Sequence, residues 1–229
     1  MRSGQRSTTS SETPTLKSRS TLLESGGALL ALAWVNVALH AAGLAAAWIG
    51  LRQGSTVIPL AERMAYLANQ PPAWQWGWGI WMLCALALVS YMAALRRRLS
   101  GDPLAAQLAL VFTTAGMAVD LLCDVLQIQV LPLAAASQPG VFVAFERLAF
   151  TGGLTVANVL YTVGLLLMNL CLRSVARTPS RIVGWVAVVS GFALAITGLV
   201  PSPLLLQTAT GLTIGAYSLW TVLVARDLP

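Results

Sequence analysis

Six long apolar runs, separated by short polar connections, dominate the pattern of the chain. They lie at about 26–50, 76–95, 104–133, 142–172, 182–200 and 204–225. A helix needs about 20 apolar residues to cross the hydrocarbon core of a bilayer, and each run reaches or nearly reaches that length. Strands of a membrane barrel would instead alternate over roughly ten residues. The pattern predicts an all-α, polytopic membrane protein whose six transmembrane helices form one domain over residues 26–226.

The first 25 residues differ from the rest of the chain. Ser and Thr fill much of this segment, with a few Lys and Arg residues between them. Such a composition buries too little apolar surface to fold, so we expect residues 1–25 to be a disordered tail. Ala45-Ala46-Ala47 resembles a signal-peptide cleavage site, but a signal's apolar region is only about 7–15 residues long. The longer first run favours an uncleaved span.

The charged residues are few and unevenly placed, which narrows the class of protein and predicts its orientation. Charged residues make up 10% of the chain, whereas a soluble domain carries roughly 25%, which excludes soluble, disordered and nucleic-acid-binding classes. In a six-span layout one side carries only Arg52 and Arg63. The other side carries Arg2, Arg6, Lys17, Arg19, Arg96, Arg97, Arg98, Arg173, Arg177, Arg181 and Arg226. Because cytoplasmic loops are enriched in Lys and Arg, both termini are expected in the cytoplasm.

The connection from residue 51 to residue 75 carries two further signals. Its apolar residues recur at helical spacing, which predicts a short amphipathic helix on the outer interface. Pro71-Pro72 then open a cluster of Trp74, Trp76, Trp78 and Trp81. Tryptophans at the end of a span are typical of an aromatic belt that anchors the helix in the interface. A lid over a pocket is the alternative interpretation.

Small residues in the last two runs predict close helix packing. Gly211 and Gly215 form a GxxxG step, and Ala187, Gly191 and Ala195 repeat at a spacing of four. Small residues at this spacing let helix backbones approach closely in lipid. We interpret the two runs as a packed hairpin, whose GxxxG step could also receive a helix of a partner protein.

Ionisable residues inside the apolar runs are the candidate functional groups, because such groups are costly in a bilayer. They are His40, Asp120, Asp124, Glu146 and Arg147. At a rise of about 1.5 Å per residue, all five fall in the outer third of the membrane. Three helices therefore bring their costly residues to one depth, where we expect an outward-facing acidic pocket.

The roles within this pocket follow from charge. Arg147 can pair with one Asp, while Asp120, Asp124, Glu146 and His40 are candidate acid, base or proton-carrying groups. Arg147 is also a candidate for binding substrate, together with the uncharged Asn36, Asn158 and Tyr161. The alternative is an ion-pair network that only sets the helix register. The single His and the lack of CxxC or HExxH spacing indicate no metal site, and nothing predicts a cofactor.

Three functions stay open at this point. The first is binding or moving a cationic or amphipathic small molecule, or protons, through the acidic pocket. The second is an intramembrane enzyme that performs acid–base chemistry on a lipid or isoprenoid, such as a cyclase. The third is a structural subunit of a membrane complex. For all three functions we expect the protein to lie in the lipid bilayer and to bind no nucleic acid.

The layout resembles an uncharacterised bacterial membrane family, the domain of unknown function 4386 group. The resemblance covers most of residues 26–226 and rests on six spans with a long first outer loop. It also rests on the acids late in the third run, from Val119-Asp120 to Gln127, and on the Pro179–Gly184 step that opens the fifth. It implies a multi-pass protein of the bacterial inner membrane and carries over no site.

Overall fold

The computed structural model describes residues 16–69, 71–99, 103–200 and 202–228, with side chains from residue 27 onward except at residue 103. Six helical stretches in this part of the chain are long and apolar enough to cross a membrane. No strand occurs among these residues. The all-α fold with six membrane-length helices is therefore confirmed, and it is consistent with an integral, multi-pass membrane protein.

The helices follow the predicted runs within a few residues, apart from the start of the first. We label them α1 (Leu16–Ala46), α2 (Leu60–Ala68), α3 (Pro72–Arg96), α4 (Pro103–Val125), α5 (Leu131–Ala135), α6 (Pro139–Phe150), α7 (Asn158–Cys171), α8 (Thr178–Thr197) and α9 (Pro203–Asp227). Proline stands at the first turn of several of them, where its missing N–H costs no helical hydrogen bond.

The start of the first helix departs from the expected disordered tail. Helix α1 begins at Leu16, ten residues before the predicted start of the first run. The apolar part of this helix that could span a membrane begins later, at Gly27. Residues 1–15 lie outside the described residues, so their disorder stays a prediction.

Three of the spanning stretches contain a π-helical turn. Ala47–Leu51 extends α1, Leu126–Val130 joins α4 to α5, and Thr151–Ala157 joins α6 to α7. Pro132 follows the second turn and has no N–H to donate to the preceding turn, and Gly152-Gly153 lie inside the third. Both features weaken the regular hydrogen-bond pattern and let the helix widen locally.

The six spanning stretches form a closed ring in chain order. Helix α1 packs on α3, α3 on α4, α4 on α7, α7 on α8 and α8 on α9, and α9 returns to α1. We call one end of this ring the Arg end, because Arg96, Arg97, Arg98, Arg173 and Arg177 lie there. The other end is the α2 end, where α2 and α5 pack against each other.

Helices α7 and α8 meet in a regular antiparallel register. Gly184 lies against Asn169, Gly191 against Thr162, and Gly198 against Thr155. Both sets of residues repeat every seven positions, so each glycine makes room for one polar side chain of the neighbouring helix. The Thr155 hydroxyl also donates to the Ala195 carbonyl at 2.9 Å.

The Arg end of the ring is filled by a buried cluster. All six spanning stretches contribute to it. Its largest fully buried members include Leu29, Tyr91, Leu95, Met168, Leu172 and Trp220. The Tyr91 hydroxyl of α3 donates to the Thr221 carbonyl of α9 at 2.8 Å, across the ring interior. Helices that are not neighbours in the ring therefore touch at this end.

The α2 end has a smaller cluster around the amphipathic helix. Leu67 of α2 packs with Leu51, Trp74, Leu131, Ala134 and Phe142. The predicted short helix between the first two spans is thus present. Tyr66 of α2 donates to the Gly50 carbonyl at 2.9 Å, and burial raises the pKa of this phenol, so it stays a donor.

The GxxxG step does not take part in the α8–α9 hairpin. Gly211 and Gly215 are both exposed, and a Cβ added at either would meet no atom within 4 Å. Helices α8 and α9 nevertheless pack closely against each other, so the predicted hairpin is confirmed. Ala187, Gly191 and Ala195 of α8 are buried, and Gly191 lies against Thr162 of α7. Only the predicted role of the GxxxG step in the hairpin is wrong.

Candidate functional site

A cavity of about 460 Å³ lies inside the ring, between the middle of the bundle and the α2 end. Ligand pockets in proteins typically measure about 300–1,000 Å³. All six spanning stretches line the cavity. Its lining includes His40, Trp74, Trp78, Trp81, Asp120, Asp124, Gln127, Asn158, Tyr161 and Tyr217. Five of the eight residues proposed from the sequence as site residues therefore border one space.

Asp120 and Asp124 lie one helical turn apart in α4 and both line this cavity. The Tyr161 hydroxyl of α7 donates to Asp120 Oδ2 at 3.1 Å. Asp124 is 2% exposed, and its Oδ2 has no hydrogen-bond partner among the residues that the structure describes. A buried carboxylate is costly unless a proton or a cation neutralises it, so this wall is suited to receive one.

His40 of α1 forms the wall beside α9. Its Nδ1 lies 2.9 Å from the Asn36 carbonyl, which can only accept, so Nδ1 carries the hydrogen of this bond. The Nε2 atom of a neutral ring is then an acceptor. The ring makes a T-shaped contact with Trp81, at 6.4 Å between centroids, and a tilted contact with Tyr217, at 5.6 Å.

Aromatic side chains form the largest part of the cavity wall near α3. Trp74 is buried and donates to the Gln127 carbonyl at 2.7 Å, and it meets Trp78 edge to face at 5.6 Å. Trp78 and Trp81 are half-buried and line the cavity. The expected aromatic belt is therefore wrong for these three residues and fits only Trp76, which is 75% exposed.

Unpartnered polar atoms gather around the same space. Among the described residues, five side chains that line the cavity have a buried polar atom without a hydrogen-bond partner. They are Trp78, Asp124, Gln127, Thr213 and Tyr217. Buried polar groups are usually hydrogen-bonded, and each exception asks for an explanation. Donors and acceptors that face one cavity are explained by a ligand or water with polar groups of its own.

All three π-helical turns border the cavity. Leu51, Gln127 and Gly153 come from the three turns, one from each, and all three residues line it. Asn158 donates to the Gly153 carbonyl at 3.0 Å, which caps the third turn from within. Single-turn π-bulges occur frequently at functional sites, because they redirect side chains and free backbone groups.

The predicted roles of Glu146 and Arg147 need correction. Glu146 is buried outside the cavity and binds Arg63 of α2, with Nε–Oε1 at 2.7 Å and a second nitrogen–oxygen pair at 2.8 Å. Arg147 is exposed and does not line the cavity. Arg63, assigned to the outer loop from the sequence, is therefore the true partner of Glu146. The sequence held one signal for this contact: Arg63 lies four residues before Leu67 in a predicted amphipathic helix, so both share the face that packs inward.

Asn36 also lies outside the cavity. It is fully buried and donates to the Ala87 carbonyl of α3 at 2.9 Å, so it joins α1 to α3. Conversely, Tyr217 lines the cavity although the sequence did not single it out. No periodic signal pointed to it, because a Tyr in an apolar run is equally typical of packing.

The cavity has one permanent positive charge at its edge. Arg52 is exposed and stacks over the Trp48 ring, with 5.7 Å between its Cζ and the ring centroid. Cys84 and Cys123 line the cavity as free, buried thiols. No group of three or more His, Cys, Asp and Glu residues within the described ranges could hold a metal ion.

No family model, no curated protein and no solved structure matches the chain. The resemblance to the domain of unknown function 4386 group therefore stays a prediction, and the function must be inferred from the cavity itself.

Proposed function

We propose that this membrane protein binds a lipophilic or amphipathic organic cation in the central cavity, with Asp120 and Asp124 as its counter-charge. The carrying observation is the buried carboxylate of Asp124, whose Oδ2 has no hydrogen-bond partner among the described residues and which lines a cavity rich in apolar and aromatic side chains. The partners of the other buried acid, Glu146, lie elsewhere, so its charge is already balanced by Arg63.

Electrostatics supports a cation over an anion or a neutral lipid. Two carboxyl groups share one wall, and Arg52 at the exposed edge is the one Lys or Arg residue in the described lining of the cavity. A ligand cation would repay part of the cost of holding these acids away from water. Protons bound to the two acids would also offset this cost, so the movement of protons by Asp120 and Asp124 is the alternative form of this proposal.

The aromatic wall supports an organic cation over a hydrated metal ion. Trp78 and Trp81 of α3, the neighbour of α4 in the ring, and Tyr217 of α9 line the same space as the acids. Cations with apolar substituents bind favourably over the faces of such rings, by about 2 kcal/mol or more when desolvated. A bare divalent ion would instead need several oxygen ligands, and only two carboxylates are present here.

The first prediction tests this proposal with tetraphenylphosphonium as the probe. In lipid nanodiscs, we expect the protein to bind it with quenching of tryptophan fluorescence. Asp124→Asn should lower the affinity about tenfold or more, since it removes a desolvated charge pair worth at least about 1.4 kcal/mol. Glu62→Gln, an exposed acid of α2, is the matched control and should bind like the wild type.

Tetraphenylborate, an anion of the same shape, separates charge from size. Equal binding of the two probes, or unchanged affinity of the Asp124→Asn protein, would contradict the proposal. Loss of proton flux in proteoliposomes of the same variant, without any organic cation bound, would instead favour the proton-carrying alternative.

A second candidate is the intramembrane enzyme. The observation that favours it is the presence in one cavity of the His40 imidazole and of a hydrogen-bonded carboxyl and phenol, Asp120 and Tyr161. An acid and a base that border one cavity could move a proton across a bound isoprenoid. Conversion of a prenyl substrate that is lost in His40→Gln, where cation binding persists, would decide for this function.

We further propose that the α2 end faces outward and that the protein lies in the bacterial inner membrane with cytoplasmic termini. The uneven distribution of Arg between the two ends supports this orientation. Introduced cysteines at positions 62 and 137, in a cysteine-free background, should react with an impermeant maleimide added from outside. Reaction only from the cytoplasmic side would reverse the orientation.

A further inference from the structure

The mouth of the cavity can be located from the residues that line it and are themselves exposed. In the described part of the lining these are Trp48 and Arg52, after α1, and Gln207 and Gly211 of α9. The lining residues contributed by α3, α4, α7 and α8 are buried or half-buried. The cavity therefore opens between the first and the last span of the ring, toward the α2 end.

The two helices that flank the mouth are in contact nearer the Arg end. Leu29 and Ala33 of α1 share the buried cluster with Trp220 and Val224 of α9. His40 and Tyr217 form a tilted ring pair between the same two helices, closer to the mouth. Between this pair and the exposed residues of the mouth, the lining residues of the two spans are buried or half-buried, including Leu44, Thr213 and Ile214. The opening therefore lies above a closed base.

The α9 side of the mouth belongs to a helix that is long and apolar enough to cross a membrane. Gly211 lies eight residues after Pro203, about 12 Å along the helix from its start. Large apolar side chains on the same two elements are highly exposed around it: Ile49 by 82%, Leu204 by 76% and Leu212 by 52%. Exposed apolar residues on a spanning helix contact lipid tails, not water.

We infer that the gap between α1 and α9 is a lateral portal, through which the ligand passes directly between the bilayer and the cavity. This inference rests on the proposed function and narrows its ligand class to cations that first partition into the membrane. Arg52 and Trp48 lie at the outer corner of the portal, where Arg52 would repel a cation arriving from water. The lipid side of the portal carries no such charge.

Gly211 and Gly215 provide a matched pair of variants for testing the portal. Both are exposed, and an added Cβ at either would meet no atom within 4 Å, so neither substitution disturbs packing. Only Gly211 lines the cavity. A side chain at Gly211 would narrow the portal, whereas the same side chain at Gly215 would lie one turn further toward the Arg end, outside the cavity lining.

The experiment measures the rates of tetraphenylphosphonium binding and release by stopped-flow fluorescence in nanodiscs. Gly211→Leu should slow both rates by a similar factor, about tenfold, and leave the equilibrium affinity nearly unchanged, because a narrower path changes the barrier and not the end states. Gln207→Trp, at the other exposed α9 position of the lining, is the second variant and should act in the same direction. Gly215→Leu should match the wild type.

Each outcome has a distinct meaning. Rates of Gly211→Leu and Gln207→Trp that equal those of Gly215→Leu would overturn the portal while leaving the binding site intact. Equal slowing by Gly211→Leu and Gly215→Leu, with a change in oligomeric state, would also overturn it and assign the GxxxG step to a partner helix. Absence of binding to the wild type would contradict the proposed function itself.

Discussion

The two halves of the bundle are built from the same six helices but are packed in opposite ways. At the Arg end, Tyr91 and Trp220 reach into the ring and meet edge to face at 6.1 Å. At the α2 end, Trp78 and Trp81 stand at the wall and leave a cavity of about 460 Å³. Large side chains close one half, and similar side chains line an open space in the other.

This difference assigns the stabilising contacts mainly to the Arg end and the candidate functional groups to the α2 end. Buried apolar side chains and the Tyr91–Thr221 hydrogen bond join helices across the interior of the Arg half. Ser180 and the Arg177 backbone N–H donate to Asp227 there, at 2.6 and 2.8 Å, and tie the start of α8 to the end of α9. A rigid base of this kind can hold a costly acidic cavity in the other half.

The largest expected effect breaks the closed half. Trp220→Ala should destabilise the protein by about 3–5 kcal/mol, because it removes a fully buried ring and leaves a void. Trp78→Ala, at the cavity wall, should cost much less, since its ring already borders open space. Equilibrium unfolding in SDS measures both. Equal losses would show that the two halves do not differ in stability.

A somewhat smaller effect is expected at the junction of α2 with α6. Arg63→Gln should destabilise the protein by about 3 kcal/mol, since it leaves the buried Glu146 without its cation. The double variant Arg63→Gln with Glu146→Gln should recover much of that loss, because no unpaired charge remains. Unfolding in SDS checks the cycle, and strictly additive losses would argue against the ion pair.

The smallest effect concerns the glycine register between α7 and α8. Gly191→Val should cost about 1–3 kcal/mol by overpacking against Thr162. Gly215→Val has open space around its Cβ and should be close to neutral. Thermal midpoints in detergent compare the pair. A destabilised Gly215→Val would mean that this exposed glycine packs against something beyond the single chain.

Much of the candidate site could be predicted from the sequence because it depends on helix geometry. Asp120 and Asp124 are four residues apart, so they had to share one face of a helix. The depth of His40 followed from the rise per residue. The pairing of Glu146 with Arg63 could not be predicted, since the two residues lie 83 positions apart and only the docking of α2 brings them together.

The tryptophans of α3 are a second case in which the local sequence could not predict tertiary contacts. A cluster at the end of a span predicts an aromatic belt when only the local pattern is considered. Whether a given ring faces lipid or the interior depends on the rotation of α3 about its axis, which its neighbours α1 and α4 set. Trp76 faces outward and Trp74 inward, although they are two residues apart.

By itself, the sequence determined the number of membrane-length helical stretches and their approximate bounds, because these depend on apolar run length and on the fixed rise of a helix. The tertiary structure alone decided that the six spans close into a ring and that one half of it stays open. It also decided that Glu146 pairs with Arg63 and that Asp120 and Asp124 line the cavity. These outcomes depend on helix rotation and on contacts between residues far apart in the chain, and local pattern does not encode either of them.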